Sequence, residues 1–597
     1  MKKNLYLFQP QYSVVHTEKE IYSNYWIPYS VGCIWSYVSQ FKEITDNFEL
    51  KDLIYKREHI GDLVERLEDP FICGFSSYVW NEAYCYTAAR RIKERYPNCL
   101  IVFGGPNTES HELDGVVDII VEAEGELSFH KLLTQVLNGE EPDKRFKPER
   151  IQTLEFPSPY TSGVFDKIFE NNPTATWNMT IETNRGCPFK CTYCNWGMVT
   201  MSKIKKFGLE RVAADLEWAA NNRVEYITCA DANFGIFKER DMEIAKLIRE
   251  TCDKGLADHV NLQYTKNSTE TVFEIAKIIG PYSKGITVSV QSMHDDTLVA
   301  IKRKNLGVND MKHIMALSRK YGVNTYSEFI LGLPEETLES WKDGLCEIIE
   351  LGQHDSIDVW FGQLLEGSEM ASFESLVKYG LKHVKAYDFM NFVDNENNEE
   401  NIVNETMKIV NKTNTQTTDE MVEGFMYGWM ITTFHIGGYS QVYTRYLHSI
   451  KNIRVRNFYD SLFDKVRNGF YKEHYDELYK KIYDYLHYGK MSSSQSGHGM
   501  HYSSLVFALE NRDETIKICQ EVFDELCDDK EVHTVQNAFI YDENVDYPIQ
   551  IETDFDLIEY KPQKKIYKVE SKIKKNKGWE SFRYRRKGVQ KNNLIEI

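Results

Sequence analysis

Three cysteines at the spacing C-x3-C-x2-C constrain this chain more than any other stretch of its sequence. They are Cys187, Cys191 and Cys194, and they follow Trp177–Glu182, a run typical of a buried strand. Three thiolates on one short loop can hold three irons of a [4Fe–4S] cube. Because protein-held cubes normally take four cysteines, the fourth iron stays open here to a small chelating ligand such as an amino acid. The spacing therefore predicts an iron–sulfur cluster with one open iron.

A zinc site, or three unrelated buried thiols, is the alternative interpretation of the same cysteines. Zinc sites take a fourth Cys or His at a paired spacing. No histidine lies between His130 and His259, and a second C-x2-C pair is missing from the sequence. These observations favour the cluster over zinc. Three aromatic residues flank the loop and are expected to shield the cluster from water: Phe189, Tyr193 and Trp196.

The composition limits where the protein works and what it binds. The 597 residues suffice for several domains, and the net charge of −19 argues against nucleic acid as a partner. The sequence has no apolar run of about 18 residues, so no membrane insertion is expected. Its apolar start is too short for a signal peptide. The other cysteines are scattered, which predicts reduced thiols and a cytoplasmic location.

Residues 1–140 alternate strand and helix patterns, which predicts a doubly wound, Rossmann-like α/β domain with a parallel sheet. In such sheets ligands bind at the carboxyl ends of the strands. Four loops lie at those ends and outline one predicted pocket: Gln9–Gln11, Ser76–Asn81, Gly104–Pro106 and Glu122–Glu126. The alternative is a domain of this fold with short turns and no ligand.

Residues 176–380 follow a polar, proline-bearing linker over residues 141–175, which is expected to drape over the surface. They repeat a strand-then-helix pattern, and six strands predict a partial (β/α)6 barrel that is open on one side. A barrel keeps its chemistry at the carboxyl ends of the strands, where this chain places polar residues. Each of these residues has a plain alternative role as a helix cap. The helix after the fourth strand is expected to bear Lys302 and Arg303.

Residues 381–563 are expected to form a mostly α-helical domain. One long helix is predicted over Thr418–Leu447, and loops are predicted over Asn391–Asn404 and Ser492–His501. Three histidines are candidates for substrate contact, with a core or surface position as the favoured alternative: His435, His498 and His501. Substrate identity does not follow from this region.

The basic tail over residues 564–597 carries the charge of an RNA-binding arm. Apolar residues interleave its cations, as they do in a packed segment. We therefore expect the tail to dock onto the acidic body of the protein rather than to bind nucleic acid.

The segment from Arg185 to Gly197 reads R-G-C-P-x-x-C-x-x-C-x-W-G and resembles the radical SAM (S-adenosylmethionine) superfamily. A strand ending in S-x-Y-x-W-N, another ending in G-G-P, and the run D-I-I-V-E-x-E-G-E resemble the N-terminal domain of its cobalamin-binding branch, class B. The resemblance implies three cofactors: a [4Fe–4S] cluster, SAM and cobalamin. It also implies that the three cysteines of the loop hold the cluster.

For cobalamin, the resemblance implies contacts at the four strand-end loops. The residues concerned are Gln9, Pro10, Ser76, Ser77, Tyr78, Val79, Trp80, Asn81, Gly104, Gly105, Pro106, Glu122, Glu124 and Gly125. The motif D-x-H-x-x-G, by which other corrinoid domains supply a histidine to cobalt, is missing from the sequence. The lower face of the cobalt is therefore expected to rest on the Ser76–Trp80 loop, covered by Trp80 or Tyr78.

For SAM, the resemblance implies contacts after four strands of the barrel. The residues concerned are Asp231, Asn233, Gln291, Ser292, Arg303, Leu331 and Gly332. The first two stand where the family binds the amino group of the methionine moiety, through Asp231 or backbone carbonyls, because the usual paired glycines and glutamate are replaced here. The next two are expected to face the ribose and Arg303 the carboxylate. The last two are expected to border the adenine.

The function that the resemblance implies is a cobalamin-dependent methyltransferase, acting on an unactivated carbon of a small-molecule or peptide natural product through a 5′-deoxyadenosyl radical and methylcobalamin. One alternative keeps the cofactors but catalyses a rearrangement, cyclisation or ring contraction. A second is a corrinoid or redox sensor. The enzyme is expected to receive electrons from a donor such as flavodoxin or ferredoxin. No catalytic residue of the protein itself follows from the sequence.

Overall fold

The structure, a computed structural model, describes most of the chain. It covers residues 2–11, 24–108, 111–122, 124–196, 203–255, 257, 259–265, 270–283, 285–388, 402–491, 497–540, 545–557, 559–571 and 592–596, without the side chains of 497–503. The chain divides into two compact units, one formed by residues 1–286, 363–378 and 385–408 and the other by residues 287–362, 379–384 and 409–597. The five segments inferred from the sequence stay a prediction.

The first unit opens with a six-stranded parallel sheet, as the alternating pattern predicts. Its strands are β1 (Lys3–Phe8), β3 (Phe48–Ile54), β4 (Pro70–Ser76), β5 (Leu100–Gly104), β6 (Ile119–Val121) and β7 (Arg145–Phe146), in the spatial order β3-β1-β4-β5-β6-β7. Its helices are α1 (Tyr29–Val38), α2 (Lys42–Asn47), α3 (Ile60–Glu65), α4 (Glu82–Arg95) and α5 (Gly125–Leu137). The strand order reverses between β1 and β4, so the loops after these two strands flank the point where such sheets bind ligands.

A row of aromatic rings crosses the centre of this sheet. Phe8, Phe75 and Phe103 are register partners on β1, β4 and β5. Their rings stack with centroids 4.3 Å apart between the first two and 5.0 Å apart between the last two. Because each ring lies near the carboxyl end of its strand, the row holds the three following loops at one level.

Residues 141–175, predicted as a linker draped over the surface, are mostly exposed but contribute some buried side chains. Among the buried ones are the aromatic residues Phe156, Tyr160 and Phe165. The Tyr160 ring stacks on Tyr29, with centroids 5.6 Å apart, and its hydroxyl donates to the Thr180 carbonyl at 2.6 Å. The segment also supplies β7 and the short helix α6 (Asp166–Glu170). Its prolines predict loops, but the aromatic residues between them supply enough apolar surface to pack.

A second parallel sheet of the first unit carries the cysteine loop. Its strands are β2 (Asn24–Trp26), β8 (Thr176–Ile181), β11 (Val224–Phe234) and β12 (His259–Tyr264), in the order β12-β11-β8-β2. The connecting elements are the hairpin β9 (Asn184–Arg185) and β10 (Lys205–Lys206), and the helices α7 (Leu209–Asn221), α8 (Lys238–Lys254) and α9 (Glu270–Ile279). The sequence does not predict β2, a three-residue strand from the N-terminal region that pairs with β8.

The remaining three barrel strands form a sheet assigned to the second unit almost throughout. They are β13 (Ile286–Gln291), β14 (Thr325–Leu331) and β15 (Ile357–Phe361), in that order, joined by the helices α10 (Asp295–Ala300), α11 (Val308–Tyr321) and α12 (Leu338–Glu350). All six predicted barrel strands are thus present in chain order. Lys302 and Arg303 lie beyond the end of α10 rather than on it, because the backbone turns at Lys302, with φ of 54°.

Helices, one strand pair (β16 with β17) and one three-stranded sheet (β18-β19-β20) make up the rest of the described chain. The strands are β16 (Lys382–Tyr387), β17 (Thr406–Lys412), β18 (Ile549–Phe555), β19 (Pro562–Glu570) and β20 (Asn593–Glu596). The helices are α13 (Phe373–Lys378), α14 (Thr418–Ile431), α15 (Gln441–Ser449), α16 (Val455–Asn468), α17 (Lys472–Tyr488), α18 (Gly497–Glu510), α19 (Arg512–Leu526) and α20 (Lys530–Phe539).

Two predictions for this region need correction. The long helix predicted over Thr418–Leu447 is interrupted by a π-helical turn, Thr432–Ile436, and then by a turn at Gly438, with φ of 100°. The predicted loop Ser492–His501 overlaps α18, which begins at Gly497. The side chains of His498 and His501, and residues 391–401 of the other predicted loop, lie outside the described residues. His435 is fully buried, which matches its core interpretation.

The start of the basic tail pairs with carboxylates of its own unit. On β19, the Lys564 and Lys565 ammonium groups bond Glu552 and Asp556, the latter pair at 2.8 Å. Residues 572–591 lie outside the described part of the chain, and docking of the tail onto the acidic body stays a prediction. Among the described residues, no helix has both the length and the apolarity needed to cross a bilayer.

Candidate active site

The cysteine loop begins with a turn that only glycine fits. Gly186 has φ of 119°, and a Cβ added there would lie 2.8 Å from the Lys203 carbonyl oxygen. Cys187 and Cys191 are buried and Cys194 is partly exposed, and none of the three forms a disulfide. The Asn233 amide donates to the Cys187 sulfur at 3.3 Å, and its own oxygen is buried without a hydrogen-bond partner. A thiolate that accepts such a bond is the form that a metal requires.

Asp231 holds the backbone that leads into this loop. Its carboxylate accepts from the amides of Thr183 at 2.7 Å and Asn184 at 3.0 Å, from the Asn184 side chain at 2.6 Å, and from the Thr183 hydroxyl. Burial raises the pKa of Asp231 to about 6, against the lowering effect of these bonds. A carboxylate offers about four acceptor positions, and all are used here. The predicted contact with SAM, through Asp231 or backbone carbonyls, stays a prediction.

Replacing Asp231 by asparagine tests this holding role. An amide would set a donor against the Asn184 side chain, so we expect a loss of about 2 kcal/mol in stability and of about half the bound iron after anaerobic reconstitution. Iron counts and thermal melting measure both. Asp215→Asn is the matched control, because Asp215 is also buried, with a pKa raised to about 6 by burial, but lies on α7. Equal iron loading of the two variants would refute the role.

Arg185 joins the cysteine loop to the N-terminal sheet domain. Its guanidinium donates to Glu126 at 2.8 Å and to Glu182 at 2.9 Å, and all three side chains are largely buried. Tyr29 donates its hydroxyl to the same Glu182 at 3.1 Å. Burial opposes the charge of Arg185, but the two carboxylates outweigh it and raise its pKa. Glu126 is the last residue of the predicted loop Glu122–Glu126 and lies in the first turn of α5, so one buried cation contacts both predicted cofactor loops.

The loop after β4, which carries Ser77, fits closely against the loop after β5, which carries Gly105. Gly105 has φ of 99°, and an added Cβ would lie 2.5 Å from the Ser77 carbonyl oxygen. The Ser77 amide donates to Gly104 at 2.7 Å, and the Asn107 amide donates to Ser77 at 3.2 Å. The Ser77 hydroxyl is buried without a hydrogen-bond partner. Such an unpaired hydroxyl at the carboxyl end of β4 fits a polar group of a ligand.

Aromatic side chains stand beside that hydroxyl on the same loop. The rings of Tyr78 and Trp80 stack with centroids 4.4 Å apart, and Trp80 is 36% exposed. Asn81 fixes the loop from within, because its side chain accepts from the Tyr78 amide at 2.8 Å and donates to the carbonyls of Pro10 and Ser76. Gln9 accepts from the amide and hydroxyl of Ser30.

The remaining predicted cobalamin residues lie at the same edge of the sheet. Val79 and Pro106 are partly exposed there, and Gly125 begins α5. The carboxylates of Glu122 and Glu124 are engaged by the protein itself, the first with Arg145 at 2.9 Å and the second with the Ile151 amide at 3.0 Å. The structure thus places the predicted cobalamin residues along one edge of the sheet. The side chains of Glu122 and Glu124 bond Arg145 and Ile151, in the segment that follows α5.

In the second unit, Ser292, predicted at the ribose, and Arg303, predicted at the carboxylate, belong to one network. Ser292 donates its hydroxyl to buried Glu336, and its carbonyl accepts from Asn305 at 2.7 Å. Arg303 donates to Asn305 at 3.1 Å and to the Ser289 carbonyl. Burial raises the pKa of Glu336, a residue that the sequence analysis missed. Its position directly after the G-L-P-E sequence of residues 332–335, at the end of β14, is a signal that could have found it.

Backbone strain marks the same strand ends. Gln291 and Glu335 have φ of 64° and 63°, a region that non-glycine residues rarely occupy and that clusters at functional sites. Gly332 has φ of 94°, with Val410 at 3.4 Å from an added Cβ, and Leu331 before it is fully buried. These backbone positions do not test whether the residues contact SAM, so the predicted SAM contacts of the second unit stay predictions. Among the described residues, no three His, Cys, Asp or Glu side chains form a single-ion site.

Comparisons with known proteins agree with this architecture. The Radical SAM superfamily model matches residues 181–345. The cobalamin-dependent radical SAM methyltransferase TokK of Streptomyces tokunonensis is 31% identical over 468 residues, which are 73% of this chain and 67% of TokK. The 2-(S-pantetheinyl)-carbapenam-3-carboxylate methyltransferase of Streptantibioticus cattleyicolor is 31% identical over 467 residues, with the same shares.

Two solved structures share the fold. The cobalamin-dependent SAM radical enzyme OxsB, solved with aqua-cobalamin and SAM, has a TM-score of 0.52 at 14% identity and covers 88% of this chain and 84% of its own. The radical SAM methyltransferase TsrM from Kitasatospora setae, solved with cobalamin and the cluster, has a TM-score of 0.50 at 14% identity and covers 81% and 99%. At these identities the likeness concerns the fold.

The sheet domain, the six barrel strands and the cysteine loop together define a radical SAM enzyme with an N-terminal cobalamin-type domain. At the level of sequence identity found, the chain belongs to the family of cobalamin-dependent radical SAM methyltransferases. That family uses a [4Fe–4S] cluster, SAM and cobalamin. The residues present fit these groups. Three thiols lie on one loop, and the Ser77 hydroxyl is buried without a hydrogen-bond partner. The loops of Ser77 and Gly105 approach so closely that only glycine, which has no Cβ, fits at position 105.

Proposed function

We propose that this enzyme methylates an unactivated carbon of a natural-product substrate. One observation supports this most directly: a single compact unit carries both the cysteine loop and the cobalamin-type loops, with Arg185 bonded to Glu126 between them. The names of the two relatives at 31% identity support methyl transfer, and the carbapenam relative favours a small molecule over a peptide. When bound, the three cofactors supply hydrogen abstraction from carbon and a transferable methyl group.

The residues of the chain supply position and electrostatics. Cys187, Cys191 and Cys194 would hold the cluster, while Asp231 fixes the backbone before them. The Asn233 amide, donating to the Cys187 sulfur, stabilises negative charge on that thiolate and so raises the potential at which a cluster there accepts an electron. Ser77, Gly105 and the stacked rings beside them would hold the corrin ring.

Isotope transfer from SAM tests the proposal. The anaerobically reconstituted enzyme would be incubated with CD3-labelled SAM and candidate carbapenam-type carboxylates, and the products examined by mass spectrometry. A product heavier by the labelled methyl group supports methylation, and nuclear magnetic resonance then shows whether carbon carries it. Turnover without label in the product would instead support a rearrangement or ring contraction, and no cleavage of SAM would refute the enzyme assignment.

We further propose that the electron donor is a small acidic protein, of the flavodoxin or ferredoxin kind, that docks beside the cysteine loop. The chain is acidic overall, with a net charge of −19, yet residues 183–209 contain no acidic residue. Lys190, Lys203 and Lys206 are exposed in this stretch. β10 pairs with the residues just before Cys187, which places its lysines next to the loop. The cysteines that the structure describes form no disulfide, which supports a reducing, cytoplasmic setting.

Charge reversal at Lys203 and Lys206 should slow reduction by a protein donor. SAM cleavage would be measured with reduced flavodoxin at low salt. We expect kcat/KM for flavodoxin to fall by about tenfold, because complementary charge acts mainly on the association rate. With dithionite the rate should match wild type. Lys472→Glu/Lys517→Glu is the matched control, since these lysines are 58% and 61% exposed on helices of the second unit. Equal losses in both double variants would contradict this docking surface.

A further inference from the structure

A buried arginine holds three separate stretches of the first unit together. Arg57, in the loop after β3, is 2% exposed. Its guanidinium donates to the carbonyl oxygens of Gln11 at 3.0 Å, Val403 at 2.7 Å and Trp80 at 2.6 Å. Gln11 and Trp80 belong to the loops after β1 and β4, which flank the switch point of the sheet. One side chain therefore sets the spacing of the two loops at which the corrin ring is expected to lie.

Glu405 completes this arrangement from a distant part of the chain. Its carboxylate accepts from Arg57 at 2.5 Å, although the two residues are 348 positions apart. It also accepts from the amides of Ala83 at 2.7 Å and Tyr84 at 3.1 Å, in the first turn of α4. The Asn81 side chain makes no cap bond to α4, because it is used inside the loop. Glu405 thus satisfies amide groups that the helix start leaves open.

The bonds of this pair fix backbone and leave the aromatic rings free to meet a ligand. The Trp80 carbonyl is held by Arg57, the helix behind it by Glu405, and the loop interior by Asn81. The Trp80 ring, in contrast, stays 36% exposed. A buried ion pair is weak evidence for stability, since well-packed apolar residues often serve as well. A guanidinium that bonds three carbonyls in fixed directions supplies geometry that apolar packing cannot.

We propose that Arg57 and Glu405 are positioning residues for the corrinoid site. They hold the Ser76–Asn81 loop, on which Trp80 would meet a bound corrinoid, and they tie that loop to residues 403–405, just before β17. This inference rests on the proposed role of the Ser76–Asn81 loop in corrinoid binding. It predicts that loss of the pair changes the cobalt environment, beyond any loss of stability.

The test uses the full-length protein and hydroxocobalamin. Arg57→Lys and Glu405→Gln would be compared with wild type, with Trp80→Ala as a reference for loss of the indole ring, and with Arg66→Gln as a control. Arg66 is a more exposed counterpart of Arg57 in the same domain, where it forms ion pairs with Glu58 and Asp52. Dissociation constants come from visible absorption, and the ligation of reduced, Co(II) cobalamin comes from electron paramagnetic resonance.

We expect Arg57→Lys and Glu405→Gln to bind hydroxocobalamin about tenfold more weakly, which corresponds to about 1.4 kcal/mol. Their Co(II) spectra should shift towards that of Trp80→Ala, while Arg66→Gln should match wild type. Because one unpaired buried charge can prevent folding, the double variant Arg57→Met/Glu405→Leu removes both charges and should show the same spectral shift. Folded variants with wild-type affinity and spectra would overturn the inference. Failure of the wild type to bind corrinoid would instead refute the proposed function beneath it.

Discussion

Replacing Cys187, Cys191 and Cys194 together by alanine is expected to abolish both iron binding and reductive cleavage of SAM. The three thiols are the only protein ligands that the loop offers to a cube, so no iron remains to bind SAM at an open corner. Corrinoid binding should stay within about twofold of wild type, because the bonds that fix the corrinoid loops are made by other residues. Iron and sulfide counts, and chromatography of 5′-deoxyadenosine, measure the two losses.

Cys527→Ala is the control for this experiment, since Cys527 is a partly exposed free thiol that follows α19. It should keep a full cluster. If the triple variant still cleaved SAM, or if the wild-type loop bound zinc in place of iron under anaerobic reconstitution, the cluster assignment would be lost.

Replacing Gly105 by alanine is expected to weaken corrinoid binding. Among the predicted effects, we expect only that of the cysteine substitutions to be larger. The added methyl group would stand 2.5 Å from the Ser77 carbonyl oxygen, a distance that real Cβ atoms do not adopt, so the loop after β4 must shift. We expect the dissociation constant for hydroxocobalamin to rise by at least about tenfold, in addition to a cost of about 1 kcal/mol for a left-handed alanine. Titration by visible absorption and thermal melting separate the two effects.

Gly115→Ala isolates the backbone cost from the steric cost. Gly115 has φ of 88°, close to that of Gly105, but an added Cβ there meets nothing within 4 Å. The control variant should therefore lose a similar amount of backbone stability and keep wild-type affinity for corrinoid. Equal affinities for the two variants would show that the Gly105–Ser77 approach does not matter for binding.

Local patterns predict this fold well where strands are long and buried. The apolar runs at Leu5–Phe8 and Phe71–Phe75, and the barrel strand Thr325–Leu331, occur where periodicity places them. The failures are short elements whose pairing depends on distant residues. β2 and β7 are three and two residues long, and each forms only as an edge added to a sheet. A pattern of two or three residues carries no period to detect.

The candidate active site also has a part that the sequence predicts and a part that it does not. The cysteine loop could be predicted because its ligands lie within eight consecutive residues, Cys187 to Cys194. The roles of Asp231, Glu336 and Glu405 could not, because each depends on partners that tertiary folding brings near. A buried carboxylate looks the same in sequence whether it contacts a ligand or holds a backbone amide. Asp231 illustrates this: the family position suggests SAM, but its oxygens are taken by Thr183 and Asn184.

The short strand β2 makes the N-terminal region indispensable to its neighbour. Asn24, Tyr25 and Trp26 pair along β8, the strand that delivers the cysteine loop. A shortened protein that starts after residue 140 would leave the amide and carbonyl groups on that side of β8 open to solvent or to another chain. Cutting this enzyme into a corrin carrier and a separate radical module would therefore yield a half that aggregates, and the two activities must be dissected by point substitution.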